Sequence, residues 1–205
     1  IILPGTKQTI KDLFFLYDSG LLKNIQEYSK RNGNILGICG GLQMLGEYLE
    51  DPYSKEGLND SKKKSIKGIS LLPLKTIFLR DKITKRITCY SNWPCTEKID
   101  GFEIHNGITS IINKNNKCKV RDIFRENNLG WYNNSYETGI IAGTYIHGIF
   151  ENDKWTTSLL NLIKEKKGIP ILDKKNKSYR IKREAIIDNL AKQFTKHINI
   201  TTLLN

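Results

Sequence analysis

Long apolar runs are missing from this 205-residue chain, and histidine, proline and methionine are scarce. No run reaches the length of a membrane-spanning helix, so we expect no membrane partner. No secretory signal opens the chain, which begins Ile1-Ile2-Leu3-Pro4-Gly5 without an initiator methionine, as if a strand were already under way. We therefore expect a cytoplasmic protein and an N-terminally truncated piece of a longer polypeptide.

Cysteine is present four times, without the regular spacing of a disulfide framework (Cys39, Cys89, Cys95 and Cys118). This usage favours a reducing cytoplasm. Cys89 and Cys95 could be combined with His105 into a metal site, but their separation is not a usual zinc spacing. We expect no metal in this chain.

Acidic residues are fewer than basic ones, and the formal net charge is +12. A basic nucleic-acid-binding domain is therefore one hypothesis. The densest lysine runs, 62–64 and 174–177, lie in polar segments without interleaved aromatic residues, which is typical of a solvated surface. We expect no nucleic-acid partner, and no salt-dependent binding of nonspecific DNA at physiological salt.

The length suffices for one α/β domain, with a core over about 1–150 and a helical part over about 151–205. Residues 53–67 are polar and predict an exposed loop. The last helix is predicted to bury Ile186, Ile187, Leu190, Ala191 and Phe194. The predicted helices cover Thr9–Ser19, Leu22–Arg31, the segment after Cys39 through Leu49, Lys154–Lys166 and Lys182–His197. The predicted strands cover Leu74–Leu79, Arg86–Tyr90, Gly101–His105, Gly130–Tyr132 and Ile140–His147.

A short apolar run leads into Gly37-Ile38-Cys39-Gly40-Gly41, and an apolar, helix-compatible run follows. This is the spacing of a nucleophile elbow with cysteine as the nucleophile. Glycine two residues before and after Cys39 removes a collision in the tight turn. The turn predicts a sulfur lifted clear of the sheet, at a helix N-terminus that favours thiolate. A buried cysteine in a glycine-rich turn remains the alternative.

A thiolate nucleophile needs a base. His147 ends an apolar run and precedes Gly148, so it is the candidate, while His197 lies in a predicted amphipathic helix. Glu103 and His105 share one face of a predicted strand, where they could form a surface ion pair. The density of polar and glycine residues over 101–107 favours a binding loop instead. The N–H of Gly5 could join that of Gly40 in an oxyanion hole, or the first loop could be a simple turn.

Four ordered stretches together resemble the glutamine amidotransferase domains of cobyric acid synthases, which belong to the class I (triad) amidotransferases. They are Leu-Pro-Gly-Thr-Lys at 3–7, Gly-Ile-Cys-Gly-Gly-Leu-Gln-Met-Leu-Gly at 37–46, Gly-Phe-Glu-Ile-His-Asn-Gly at 101–107 and Gly-Thr-Tyr-Ile-His-Gly-Ile-Phe at 143–150. The resemblance implies an α/β, flavodoxin-like fold with a mostly parallel central sheet flanked by helices and an elbow after a central strand. The third stretch favours this branch over cobyrinic acid a,c-diamide synthases and lipid II amidotransferase subunits.

The resemblance also implies the chemistry. Cys39 would hydrolyse glutamine through a thioester, with His147 as base and then acid, and Gly5 and Gly40 as oxyanion donors. Gln43, Glu103 and His105 would bind substrate. An N-terminal synthetase domain, absent from this chain, would use ATP and Mg²⁺ to activate carboxylates of adenosylcobyrinic acid a,c-diamide in cobalamin biosynthesis. The domain itself is expected to need no cofactor.

One position departs from the wider class. Most class I amidotransferases carry a glutamate two residues after the catalytic histidine, and this chain has Ile149 there. The cobyric acid synthase branch also lacks that glutamate, which leaves Glu151 and Glu103 as unranked candidates to orient His147. A catalytically silent amidotransferase-like binding module and a cysteine hydrolase on the same elbow are the remaining alternatives.

Overall fold

The computed structural model describes residues 1–57, 64–112, 120–133, 139–172 and 179–198. The chain divides into two compact units, Ile1–Ile149 and Phe150–Asn205. The elements of the first unit are β1 (Ile2–Leu3), α1 (Thr9–Asp18), α2 (Leu21–Lys30), β2 (Ile35–Ile38), α3 (Gly40–Leu45), β3 (Tyr48–Glu50), β4 (Ser65–Lys67), β5 (Leu74–Ser91), β6 (Glu97–Ile111), β7 (Val120–Asp122), β8 (Gly130–Asn133), β9 (Ile141–Thr144) and β10 (Ile146–His147). A short 3₁₀ turn covers Ile149–Glu151, and the second unit contains α4 (Asp153–Lys166) and α5 (Tyr179–His197).

The strands of the first unit form two five-stranded sheets. The first sheet has the order β1-β2-β9-β8-β7, and the second has the order β10-β6-β5-β3-β4. In the first sheet, β1, β2 and β9 run parallel, whereas β8 and β7 are antiparallel additions. The α/β class is confirmed, but the parallel part of the sheet is smaller than the sequence predicted.

Apolar side chains of α1, α2 and α3 share one core with the strands. Leu13, Leu42 and Leu45 are fully buried there, together with Leu74 and Trp131. The parallel strands β2 and β9 are buried along their length, which is typical of strands covered on both faces. This packing fixes the carboxyl end of β2, where Cys39 follows.

The helix after Cys39 is shorter than predicted. It ends at Leu45, because Gly46 is extended and passes the chain into β3, which pairs with both β4 and β5. A Cβ at Gly46 would lie 2.8 Å from the Leu74 oxygen, so this strand approaches β5 closely. The predicted continuation of the helix through Leu49 is therefore wrong.

Two strand predictions also needed revision. The predicted strands Leu74–Leu79 and Arg86–Tyr90 are one long strand, β5, with a register shift against β6 between Ile77 and Lys82. The predicted strand Ile140–His147 is divided, because its two halves, β9 and β10, join different sheets. Part of the predicted loop 53–67 is strand β4, and the lysines at 62, 63 and 174–177 lie outside the described residues.

The apolar face of α5 is exposed rather than buried. Leu190 is 65% exposed, and Ile186, Ile187 and Phe194 are at least half exposed. The helical spacing was predicted correctly, but its burial was wrong. Periodicity identifies an apolar face and does not say what covers it.

Candidate active site

Cys39 lies in the turn between β2 and α3 with a left-handed backbone, φ 52°. A Cβ on Gly37 would come within 2.6 Å of the Gly41 backbone. A Cβ on Gly41 would come within 2.1 Å of the Leu3 oxygen in β1. The elbow geometry is therefore as predicted at Gly37, whereas Gly41 is needed for the close approach of β1.

The Cys39 sulfur is buried and donates to the Ile104 main-chain oxygen over 3.2 Å. Burial raises the pKa of the thiol, while the Gly40 N–H and the charge of Lys82 lower it and Glu56 raises it further. Burial is the largest of these effects. The pKa of Cys39 is therefore raised overall, against the expected preference for thiolate.

His147 reaches the same place from the second sheet. It ends β10, and its Nε2 lies 3.2 Å from the Ile104 oxygen that also accepts the Cys39 thiol. A Cβ on Gly5 would lie 3.2 Å from His147 Cε1 and 3.5 Å from Cys39 Cβ. The predicted nucleophile, base and first loop are thus brought together.

A cavity of about 480 Å³ opens at this junction. Five predicted site residues line it: Gly5, Cys39, Gln43, His105 and His147. Lys82 and Glu56 also line it and bring opposite charges to one space. Burial raises the pKa of the Glu56 carboxyl, which accepts from the Ile10 N–H at the start of α1.

Gln43 is held by a buried polar network. Its Oε1 accepts from the Thr9 hydroxyl over 3.0 Å, and its Nε2 donates to the Asn106 oxygen over 2.9 Å and to the Tyr145 hydroxyl over 3.2 Å. Thr9 is the first residue of α1, and its hydroxyl is directed at Gln43. The Tyr145 pKa rises to about 12 because the phenol is buried.

Glu103 and His105 form a buried pair, of which His105 lines the cavity. His105 Nε2 lies 2.9 Å from one Glu103 oxygen, and Lys85 Nζ lies 3.0 Å from the other. The His105 ring stacks on Tyr145 with centroids 3.7 Å apart. Its Nδ1 is buried and has no hydrogen-bond partner among the described residues.

The unranked candidates for orienting His147 have other partners. Glu103 is bound to His105 and Lys85, and Glu151 pairs with Arg183. Ile149, where the wider class has a carboxylate, is buried. The contact of His147 Nε2 is instead with the Ile104 main chain.

Sequence reasoning missed Lys82, Glu56, Ile104 and Tyr145. Tyr145 stands two residues before His147 in the predicted strand, so the sequence alone would have placed the two side chains on the same face. Ile104 acts through its carbonyl, which no side-chain pattern reveals. Lys82 lies at the register shift of β5 and Glu56 in an irregular segment, so neither position follows from periodicity.

Within the described residues, no group of three or more histidine, cysteine, aspartate and glutamate side chains could hold a metal ion. None of the helices there is long and apolar enough to cross a membrane. Cys118 lies outside the described ranges, and Cys39, Cys89 and Cys95 are not in disulfide bonds.

Known proteins resemble this chain in sequence and in fold. The chain is 58% identical over its whole length to a cobyric acid synthase of Prochlorococcus marinus strain AS9601, and 43% identical to that of strain NATL2A. It spans about 40% of the length of each of these relatives. A crystal structure of a glutamine amidotransferase shares the fold with a TM-score of 0.54 at 13% identity, covering 82% of this chain and 78% of that one.

The family description of a CobB/CobQ-like glutamine amidotransferase domain matches residues 1–155. This range includes all strands that the structure describes, and both Cys39 and His147. This chain belongs to the CobB/CobQ-like glutamine amidotransferase domain family.

Proposed function

We propose that this chain hydrolyses glutamine and supplies the ammonia to a cobyric acid synthase reaction. The observation that carries the proposal is the meeting of Cys39 and His147 at one carbonyl oxygen, on the wall of a cavity that fits a small polar substrate. Cys39 Sγ and His147 Nε2 each lie 3.2 Å from that oxygen, so the ring and the sulfur are neighbours in the site.

The chemistry would proceed in two halves. The Cys39 S–H proton passes to His147, and the sulfur forms a bond to the carboxamide carbon of glutamine. The carbonyl electron pair moves to oxygen, where the N–H groups of Gly5 and Gly40 are the proposed donors. As that pair returns, the C–N bond breaks, His147 gives its proton to nitrogen, and ammonia leaves.

The thioester is then hydrolysed. A water molecule gives one proton to His147 and forms a bond to the thioester carbon, and the C–S bond breaks. His147 returns the proton to sulfur, which leaves glutamate and the starting thiol. The buried thiol is a suitable starting point, because Lys82 and the Gly40 N–H lower its pKa against the effect of burial.

Charges in the cavity suit an amino acid. Lys82 can attract the α-carboxylate, while Glu56 and the acceptor nitrogen His105 Nδ1 can receive the α-ammonium group. Gln43 would act through the network that fixes its amide, and Glu103 through His105. The domain itself would need no cofactor.

The proposal for the molecule that accepts the ammonia is based on the similarity to the relatives. Their identity to this chain supports a synthetase domain in the same polypeptide that uses ATP and Mg²⁺ to activate carboxylates of a corrinoid, adenosylcobyrinic acid a,c-diamide. Nucleic acid and membrane are not proposed as partners, and a cytoplasmic location is proposed. A cobyrinic acid a,c-diamide synthase or a lipid II amidotransferase would use the same glutaminase chemistry on another acceptor.

Glutaminase activity and covalent labelling test the proposal together. The chain should release glutamate and ammonia from glutamine, and a glutamine-analogue electrophile should modify Cys39, located by mass spectrometry. Cys39→Ser should lower turnover by about 10⁴-fold or more, while Cys89→Ser and Cys95→Ser should stay within a few-fold of the parent. A chain that binds glutamine without hydrolysis or labelling would instead be a silent binding module.

A further inference from the structure

The Ile104 carbonyl oxygen accepts two hydrogen bonds from the site. Cys39 Sγ and His147 Nε2 each lie 3.2 Å from it. A backbone carbonyl has two lone pairs, so one oxygen can accept from both groups at once. The Ile104 oxygen therefore contacts both the proposed nucleophile and the proposed base.

The register of β6 explains why this carbonyl is available. The short strand β10 pairs Ile146 with Glu103 and His147 with Phe102, and β6 continues past the end of β10. Alternate residues of a strand present their carbonyl groups to the same edge. The carbonyl groups of Ile104 and Asn106 accordingly face the site, where that of Asn106 accepts from Gln43.

Gly101 allows β10 to lie this close to β6. A Cβ at residue 101 would come within 2.5 Å of the His147 oxygen and of Ile146 Cγ2. Any side chain there must push β10 away, and His147 with it. The distance from His147 to the Ile104 carbonyl thus depends on a glycine that touches neither the sulfur nor the cavity.

We infer that the Ile104 carbonyl is the positioning group for His147, the role that a carboxylate has in a catalytic triad. This inference rests on the proposed function for its catalytic meaning. The position of the usual carboxylate holds the buried Ile149, and Glu103 is committed to His105 and Lys85. A neutral carbonyl can orient the ring without burying a second charge beside the thiol.

The contact also fixes which ring nitrogen acts as the base. A carbonyl oxygen accepts hydrogen bonds and repels a lone pair, so Nε2 must carry the hydrogen. In the neutral ring, Nδ1 then holds the lone pair that takes the thiol proton. When the ring is protonated, Nε2 stays on Ile104 and Nδ1–H is the proton delivered to the leaving nitrogen.

Nitrogen NMR tests the inference directly. The chain is labelled with ¹⁵N-histidine, and the His147 signals are assigned by their loss in His147→Asn. We expect the Nε2–H tautomer both in the parent and in Cys39→Ala, because the carbonyl and not the thiol sets it. An Nδ1–H tautomer, or an equal mixture of tautomers in Cys39→Ala, would overturn the inference.

Gly101→Ala and Phe102→Ala form a matched pair for the same question. Gly101→Ala should displace His147, mix its tautomers and lower kcat about tenfold or more with little change in KM. Phe102 lies opposite His147 in the register but its side chain is exposed, so Phe102→Ala should retain the parent tautomer and kcat. Unchanged tautomer and kcat in a folded Gly101→Ala would contradict the inference.

A main-chain substitution covers the case in which Gly101→Ala does not fold. Replacing His105 by its α-hydroxy acid converts the Ile104–His105 amide into an ester, whose carbonyl is a weaker acceptor, and leaves every side chain in place. The same replacement at Gly107 weakens the Asn106 carbonyl instead. Only the first should alter the His147 tautomer, and identical spectra from both would overturn the inference.

These readouts separate the two proposals. A parent chain with the Nε2–H tautomer and no glutaminase activity would retain the positioning role and contradict the proposed function. A chain that hydrolyses glutamine with His147 in the Nδ1–H tautomer would support the proposed function and contradict the positioning role of Ile104.

Discussion

The two sheets of the first unit supply the reacting groups in different ways. The first sheet delivers Cys39 through its backbone: β2 ends, the chain turns at φ 52°, and glycines let β1 and α3 close around the turn. The second sheet delivers His147 and His105 through hydrogen bonds, to the Ile104 carbonyl and to Glu103. The proposed nucleophile is placed by steric fit, whereas the proposed base and binding groups are held by polar contacts, with Gly101 allowing the close approach of β10.

This difference has a practical meaning for substitutions. A glycine that fits between backbones has no tolerant replacement, so changes at the elbow should act on folding as well as activity. A hydrogen-bonded side chain can be exchanged for a smaller polar one without disturbing the strand that carries it. Changes on the second sheet should therefore act on single kinetic constants.

His147→Asn gives the largest expected effect on the second sheet. Asparagine fits the strand end but cannot take up and return a proton, so glutaminase kcat should fall by about 10²–10⁴-fold. His197→Asn, an exposed position in α5, is the matched control and should retain parent kinetics. A loss confined to KM would assign His147 to binding instead.

Gly41→Ala tests the steric fit of the first sheet. Its Cβ would lie 2.1 Å from the Leu3 oxygen, so β1 must move, and the free energy of unfolding should fall by about 3 kcal/mol. Gly20→Ala has a left-handed φ of 76° but no neighbour within 4 Å, so it should cost only about 1 kcal/mol of backbone strain. Denaturant unfolding measures both, and equal losses would show that close packing of β1 is unimportant.

His105→Asn should raise the KM for glutamine about tenfold and change kcat little, since asparagine is too short to keep the bond to Glu103. His105→Gln places an amide near the Nε2 position and should recover part of the loss. Steady-state kinetics of both variants give the answer. A fall in kcat comparable to that of His147→Asn would reverse the roles of the two histidines.

Alkylation of Cys39 measures the electrostatics of the turn. Because its pKa is raised, the thiol is neutral near pH 7, and its rate with iodoacetamide should keep rising above the pH where an ordinary thiol levels off. Lys82→Gln should raise this pKa and slow the reaction a few-fold at fixed pH; Glu56→Gln should do the opposite. Equal alkylation rates in Lys82→Gln and Glu56→Gln would show that these two charges do not affect the pKa of Cys39.

Ile149→Glu has the smallest expected effect on rate. The ring already has a hydrogen-bond partner, and the neighbours of this buried position fit an apolar side chain, so a carboxylate should bring little or no gain in kcat. Burying it should lower the melting temperature instead. A clear increase in kcat would show that His147 lacks an adequate positioning group in the parent.

The elbow was predictable because its signal is local: spacing of Gly37, Cys39 and Gly41 alone defines the turn. His147 was predictable because it ends an apolar run. The Ile104 carbonyl was not, because its role depends on the register between β6 and β10, which are far apart in sequence. The early end of α3 at Leu45 was missed for a similar reason. The next residues form strand β3 by pairing with β5, which lies far along the chain and leaves no local pattern.

The burial of the Cys39 thiol also affects its sensitivity to oxidation. Oxidation to a sulfenic acid begins from the thiolate, so a sulfur held neutral on the Ile104 carbonyl is a poor target for peroxide. In the proposed reaction the thiol would become sensitive to oxidants only while its proton is on His147. The burial that raises the pKa of Cys39 therefore also disfavours its oxidation.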